Sequence, residues 1–157
     1  MAGPAGRVLA VDWGLKRFGL AVSDPLRMIA QPLTTLKRRL GKRAPVGAIL
    51  DLIKTHEITE VVVGLPLTPQ GAEREAAHEA RALGEAIARR SGLPVHFVDE
   101  RMTTAHATKS ARRAGVKDED SRAKIDQMAA VAILQGWLDR RSEIGRASCR
   151  ERVYVLV

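Results

Sequence analysis

The 157-residue chain is 45% hydrophobic and 28% charged, enough for one folded domain and unlike the composition that leaves a chain disordered. Its longest apolar stretches, such as Val61 to Val63 before Gly64-Leu65-Pro66, are too short to cross a bilayer. The start Met1-Ala2-Gly3-Pro4-Ala5-Gly6 lacks the features of a secretion signal, and the single Cys149 excludes an intramolecular disulfide or a cysteine-based zinc site. A cytoplasmic protein without membrane association is expected. The net charge of +8 and the pI near 10.4 favour a polyanionic partner, nucleic acid above all, although a solvated basic surface has the same composition. With 3% aromatics, contact with a phosphate backbone fits better than a platform for stacked bases.

In chain order, Arg7 to Val11 is an apolar run ending at Asp12, and Phe18 to Val22 follows after a glycine-containing turn, Trp13 to Arg17. This pattern predicts two paired strands. Asp24-Pro25 interrupts, and Met28 to Leu36 supplies a third strand, making a meander. Beyond Pro45, Val46, Ile49, Leu50 and Ile53 recur at helical spacing. Glu60 to Val63 reads as a buried strand. A loop through Pro69 and Gly71 leads to a helix over 73–90, with Ala76, Ala80, Leu83 and Ile87 inward, and Pro94 to Val98 reads as a fifth strand. Thr103 or Thr104 caps a helix to about Arg113, stopped at Gly115. A last helix runs from Asp118–Ser121 to about Arg141, with Ile125, Met128, Ala129, Ala132, Ile133, Gly136 and Trp137 as its apolar stripe. The sum is an α/β domain: a mixed five-stranded sheet covered by helices.

The run from Ser142 to Val153 breaks the composition of the preceding domain and resembles translated adapter sequence. Residues 1–142 are therefore read as the domain and 143–157 as a non-native tail, with a genuine extension as the alternative. The tail holds three Arg against two Glu, so the basic bias resides in the domain.

Three acids occupy positions suited to metal binding. Asp12 ends the first strand, Glu100 follows the fifth, and Asp126 lies at the border of the last helix's apolar stripe. Hard divalent cations take oxygen ligands from rigid elements, and phosphodiester cleavage needs both the attacking and the leaving oxygen stabilised. Taken singly, each acid has a plainer reading, as a turn or cap residue or as a solvated helix position. His56, His78, His96 and His106 have no metal-like spacing.

Four ordered motifs carry a family resemblance. They are Val11-Asp12-Trp13-Gly14 with Lys16 to Asp24; Val62-Val63-Gly64-Leu65-Pro66-Leu67; Asp99-Glu100-Arg101-Met102-Thr103-Thr104; and Asp126-Gln127-Met128-Ala129-Ala130. Together, over residues 7–141, they resemble the YqgF (RuvX) family. The resemblance implies an RNase H-like fold related to the RuvC resolvases, and a nuclease role in maturing the 5′ end of pre-16S rRNA. It implies Asp12, Glu100 and Asp126 as the catalytic acids, holding Mg²⁺ or Mn²⁺. Where many RNase H-like nucleases carry a fourth acid, this chain has Ala129 or Ala130.

Lys16, Arg17, Arg101, Arg112, Arg113 and Lys117 are the candidate phosphate contacts, a solvated loop being the plainer reading for several of them. Arg101 has orientation of Glu100 as a second possible role, and Trp13 is read as packing ahead of substrate contact. The alternatives are a Holliday junction resolvase acting on branched DNA, which needs paired active sites, and a non-catalytic RNA-binding factor. Monomer and homodimer both remain open.

Overall fold

A computed structural model of the chain describes residues 6–14, 16–38, 44–66, 75–99 and 118–151, of which 142–151 are described by their backbone alone. Five strands form one sheet: β1 (Arg7–Asp12), β2 (Arg17–Ser23), β3 (Ala30–Lys37), β4 (Ile58–Leu65) and β5 (Val95–Asp99). Helix α1 (Val46–Thr55) precedes β4, α2 (Glu75–Ser91) precedes β5, and α3 (Glu119–Glu151) closes the described chain. The sheet order is β3-β2-β1-β4-β5, with β1 to β3 an antiparallel meander and β4 and β5 parallel to β1. The expected mixed five-stranded sheet is the one observed.

Strand periodicity divides the core into two layers. Leu9, Val11, Phe18, Leu20, Val61 and Val63 face α1 and α2 in one layer. Val8, Ala10, Ala21, Val62 and Val98 face Ala129, Ala130, Ile133, Leu134 and Trp137 of α3 in the other. A sheet covered on both faces needs apolar side chains at successive positions, which is why the middles of β1 (Val8 to Val11), β2 (Phe18 to Val22) and β4 (Val61 to Val63) read as apolar runs.

Several expectations require correction. The strand read as Glu60 to Val63 extends over Ile58–Leu65, so Gly64 and Leu65 pair with Val98 and Asp99 and do not close the strand. In α2, Ala77 and Gly84 are buried together with Ala80, Leu83 and Ile87, whereas Ala76 lies at the margin. In α3 the buried stripe is Asp126, Ala129, Ala130, Ile133, Leu134, Trp137 and Leu138, while Met128 is 42% exposed. Leu134 and Leu138 turn the helix by about one residue from the expected stripe, because burying two leucines outweighs burying one methionine.

Helix α3 starts where the caps predicted. The Asp118 carboxylate accepts hydrogen bonds from the Ser121 N–H at 3.0 Å and the Ser121 hydroxyl at 2.9 Å. These bonds hold the Asp118 pKa below its ordinary value. The helix passes the expected end at Arg141 and reaches Glu151. No proline intervenes beyond Arg141, and the one glycine there, Gly145, is too small a cost to stop an established helix. The helix expected up to Arg113 lies outside the described residues, as does the loop through Pro69 and Gly71. No helix among the described residues is long and apolar enough to cross a membrane.

Candidate active site

Strands β1, β4 and β5 run parallel and end together, with Asp12 paired to Gly64 and Gly64 to Val98. Asp12 is the last residue of β1 and is 2% exposed. By strand alternation it shares the α3-facing side of Val8 and Ala10. On its other side it pairs with Gly19 of β2.

Gly19 is what admits the second acid. A Cβ built there would fall in hard contact with the main-chain carbonyl of Asp126, so α3 approaches the sheet this closely only over a glycine. The helix thereby places Asp126 beside the cross-strand partner of Asp12. Asp126 is 0% exposed, in the middle of the buried stripe, and so does not sit at its solvent border as expected. The stripe's rotation toward Leu134 and Leu138 accounts for this position.

A buried carboxylate requires a partner. Arg17, at the start of β2, donates from Nε to Asp126 Oδ2 at 2.8 Å, with its side chain only 8% exposed. The side chain expected to meet phosphate is thus directed inward at an acid, whereas Lys16 just before it is exposed. Around the same end of the sheet, Thr35 donates to the Ala123 carbonyl at 2.8 Å and receives the Gln127 amide at 3.1 Å, tying β3 to the turn of α3 that carries Asp126.

The loop after Asp12 is held from β3 by Arg38, a residue not singled out in the sequence. Its Nη2 donates to the Gly14 carbonyl at 3.0 Å, and its main-chain N–H donates to the Lys16 carbonyl at 2.9 Å. The guanidinium lies over the rings of Trp13 and Phe18, with centroid distances of 5.2 and 4.9 Å. Trp13 is buried beneath it and serves packing. The only signal for Arg38 in the sequence was a cation just after a strand, and many solvated arginines share that feature.

Glu100, Arg101, Arg112, Arg113 and Lys117 lie outside the described residues. The described part of β5 ends at Asp99, at the same end of the sheet as Asp12 and two strand spacings from β1, about 10 Å. Among the described residues no three His, Cys, Asp or Glu side chains gather in one place. The described acids supply two buried carboxylates on one face, an oxygen donor set that suits a hard divalent cation. A cavity of about 780 Å³ lies elsewhere, near Asp51 and Lys54 of α1 and Arg90 of α2, at the opposite end of β4 from Gly64.

Residues 6–140 match the RuvX family, described as Holliday junction resolvase. A relative from Mycobacterium sp. (strain JLS), named "Putative pre-16S rRNA nuclease", is 45% identical over 137 residues, covering 87% of this chain and 81% of that protein. The chain belongs to the RuvX family. A second RuvX-like relative of the same name, from Koribacter versatilis, is 42% identical over 136 residues, with 87% and 88% covered.

Two solved resolvases share the fold at low sequence identity. RuvC of T. thermophilus in complex with a Holliday junction substrate is similar at a TM-score of 0.53 with 18% identity, over 87% of this chain and 96% of that one. The yeast mitochondrial Holliday junction resolvase Ydc2 is similar at 0.55 with 11% identity, over 98% and 87%. The architecture of this RuvX chain is the RNase H-like fold, as its motifs implied.

Proposed function

We propose that this RuvX-family chain is a metal-dependent nuclease that hydrolyses phosphodiester bonds during 5′-end processing of pre-16S rRNA in the cytoplasm. The observation that carries the reading is the approach of α3 over Gly19, which sets Asp126 beside the cross-strand partner of Asp12 at the edge where β5 also ends. The names of the relatives supply the substrate.

In this reading Asp12, Asp126 and Glu100, the residue next in sequence after β5, would hold Mg²⁺ or Mn²⁺. A divalent cation bound there supplies Lewis acidity and charge neutralisation at the scissile phosphate. The chain itself supplies position. Arg38 fixes the loop that follows Asp12, Thr35 and Gln127 fix the first turns of α3, and the exposed Lys16 meets the phosphate backbone. Arg101, Arg112, Arg113 and Lys117 extend that basic contact. The charge of +8 favours association of the chain as a whole with a polyanion.

A second reading, cleavage of branched DNA, rests on the family description as a Holliday junction resolvase. It requires two copies of the site related by symmetry, whereas RNA processing proceeds with a monomer or a homodimer. The two readings separate when purified protein is incubated with labelled 5′-extended 16S precursor, single-stranded RNA, duplex DNA and a four-way junction, each with Mn²⁺, Mg²⁺ or EDTA. Metal-dependent shortening of the precursor is the expected result. Paired cuts in the junction alone would establish resolution, and binding to every substrate without cleavage in any metal would leave a non-catalytic RNA-binding factor.

A further inference from the structure

Arg17 is bonded to Asp126, one of the acids assigned to the metal, rather than turned toward solvent. Both side chains are buried, and they come from opposite ends of the domain, 109 positions apart in sequence. A guanidinium in contact with a buried carboxylate does the electrostatic work that a bound cation does elsewhere: it neutralises a charge that burial would otherwise forbid. It cannot leave as a metal ion can, because its main chain is the first residue of β2, paired with Lys37 of β3.

We propose that Arg17 is the resident counter-ion of the acidic centre: it holds the metal-free protein folded and, by its fixed positive charge beside Asp126, weakens the centre's hold on divalent cations. The inference rests on the assignment of Asp12 and Asp126 as metal ligands. Because Arg17 Nε lies 2.8 Å from Asp126 Oδ2, a cation held by that carboxylate would be close to the guanidinium, and like-charge repulsion at close range in a buried site is large. Arg17 also contributes an orienting hydrogen bond to Oδ2, which acts in the opposite direction. The charge dominates, because a hydrogen bond to a carboxylate is a smaller contribution than a weakly screened like-charge contact with a divalent ion. Fewer carboxylates, with alanines at 129 and 130, then combine with an internal cation to give a centre loaded mainly in the presence of substrate phosphate.

The test is Mn²⁺ titration by calorimetry, together with thermal unfolding with and without Mn²⁺, on the full chain and on Arg17→Met, Arg17→Lys and Asp12→Asn. Arg17→Met is expected to unfold at a lower temperature without metal, to gain more from Mn²⁺ than the parent chain, and to bind Mn²⁺ at least about tenfold more tightly. Arg17→Lys keeps the charge and is expected to stay within about threefold of the parent. Weaker or unchanged Mn²⁺ affinity in Arg17→Met, with affinity in Asp12→Asn lost, would overturn the counter-ion role and leave the metal site standing. Equal Mn²⁺ binding by Asp12→Asn and the parent would overturn the site itself. If Arg17→Met does not fold without metal, refolding is followed against Mn²⁺ concentration. Rescue by Mn²⁺ supports the proposal, and failure to refold at any Mn²⁺ concentration contradicts it.

Discussion

Asp126 is fully buried, and its carboxylate meets the Arg17 Nε at 2.8 Å. Removing one member of such a pair is costlier than the pair is worth, since the other charge stays buried without its counterpart. Asp126→Ala is accordingly expected to lower stability by about 3–5 kcal/mol in denaturant unfolding. Asp126→Asn keeps an acceptor for Arg17 and is expected to lose distinctly less while binding Mn²⁺ far more weakly. A loss as large in the Asn variant as in the Ala variant would show that the burial of Arg17 does not depend on a hydrogen-bond acceptor at 126.

At this scale the sequence was only half legible. The place of Asp12 follows from an apolar run that stops at an acid, a local pattern. The burial of Asp126 and the inward turn of Arg17 do not, because each is set by a partner distant in sequence. An acid between Ile125 and Gln127 looks like a border position until Leu134 and Leu138 are known to fix the helix rotation.

Helix α3 is positioned by its start and by one close approach. Asp118 caps its first turn, and Gly19 lets it descend onto β2 at Asp126. Gly19→Ala has to push the Asp126 carbonyl away, an overpacking expected to cost about 1–3 kcal/mol. The same shift separates Asp126 from Asp12, so cleavage and Mn²⁺ affinity should both fall more than tenfold while the far-ultraviolet circular dichroism keeps its shape. Wild-type cleavage by Gly19→Ala would mean that the spacing of α3 from β2 does not govern the site.

Asp118→Ala removes the cap at an exposed position. It is expected to raise hydrogen exchange in the first turn of α3 with little change in the sheet. Caps and apolar periods were readable element by element. The parallel pairing of β1 with β4, and with it the common end at which Asp12 and Asp99 lie, was not, because strand neighbours distant in sequence leave no local pattern.

At the scale of the molecule, a buried polar cluster braces the end of the sheet opposite the acids. Arg27 adopts a left-handed backbone with φ 59°, a conformation a non-glycine residue holds only against compensating contacts. Those contacts are Glu60 Oε1 at 2.5 Å, Thr59 Oγ1 at 2.7 Å and the Gly6 carbonyl at 3.2 Å. Glu60 Oε2 lies 2.6 Å from His96 Nε2, and the His96 ring packs against Trp137 of α3 with centroids 5.2 Å apart. The β2–β3 turn, β4, β5 and α3 are thus joined through one carboxylate. Burial raises the Glu60 pKa, but hydrogen bonds from Arg27 and His96 and their charges outweigh it, so the net shift is downward from 4.5.

A depressed folded-state pKa contributes stability that is present above the unfolded value and lost as pH falls through the folded one. Unfolding free energy should therefore decline below about pH 4.5, more steeply in the parent chain than in Glu60→Gln. Parallel acid profiles for the two proteins would contradict the assignment to Glu60.

The basic charge, the mixed sheet and the end-of-strand acid support the proposal that Asp12 and Asp126 belong to a single metal-dependent nuclease centre. It is tested most directly by the rate at which Asp12→Asn cleaves labelled 5′-extended 16S precursor in Mn²⁺. A drop of at least about a hundredfold is expected, with unfolding temperature and RNA binding close to those of the parent. Cleavage by Asp12→Asn at the parent rate would contradict the account.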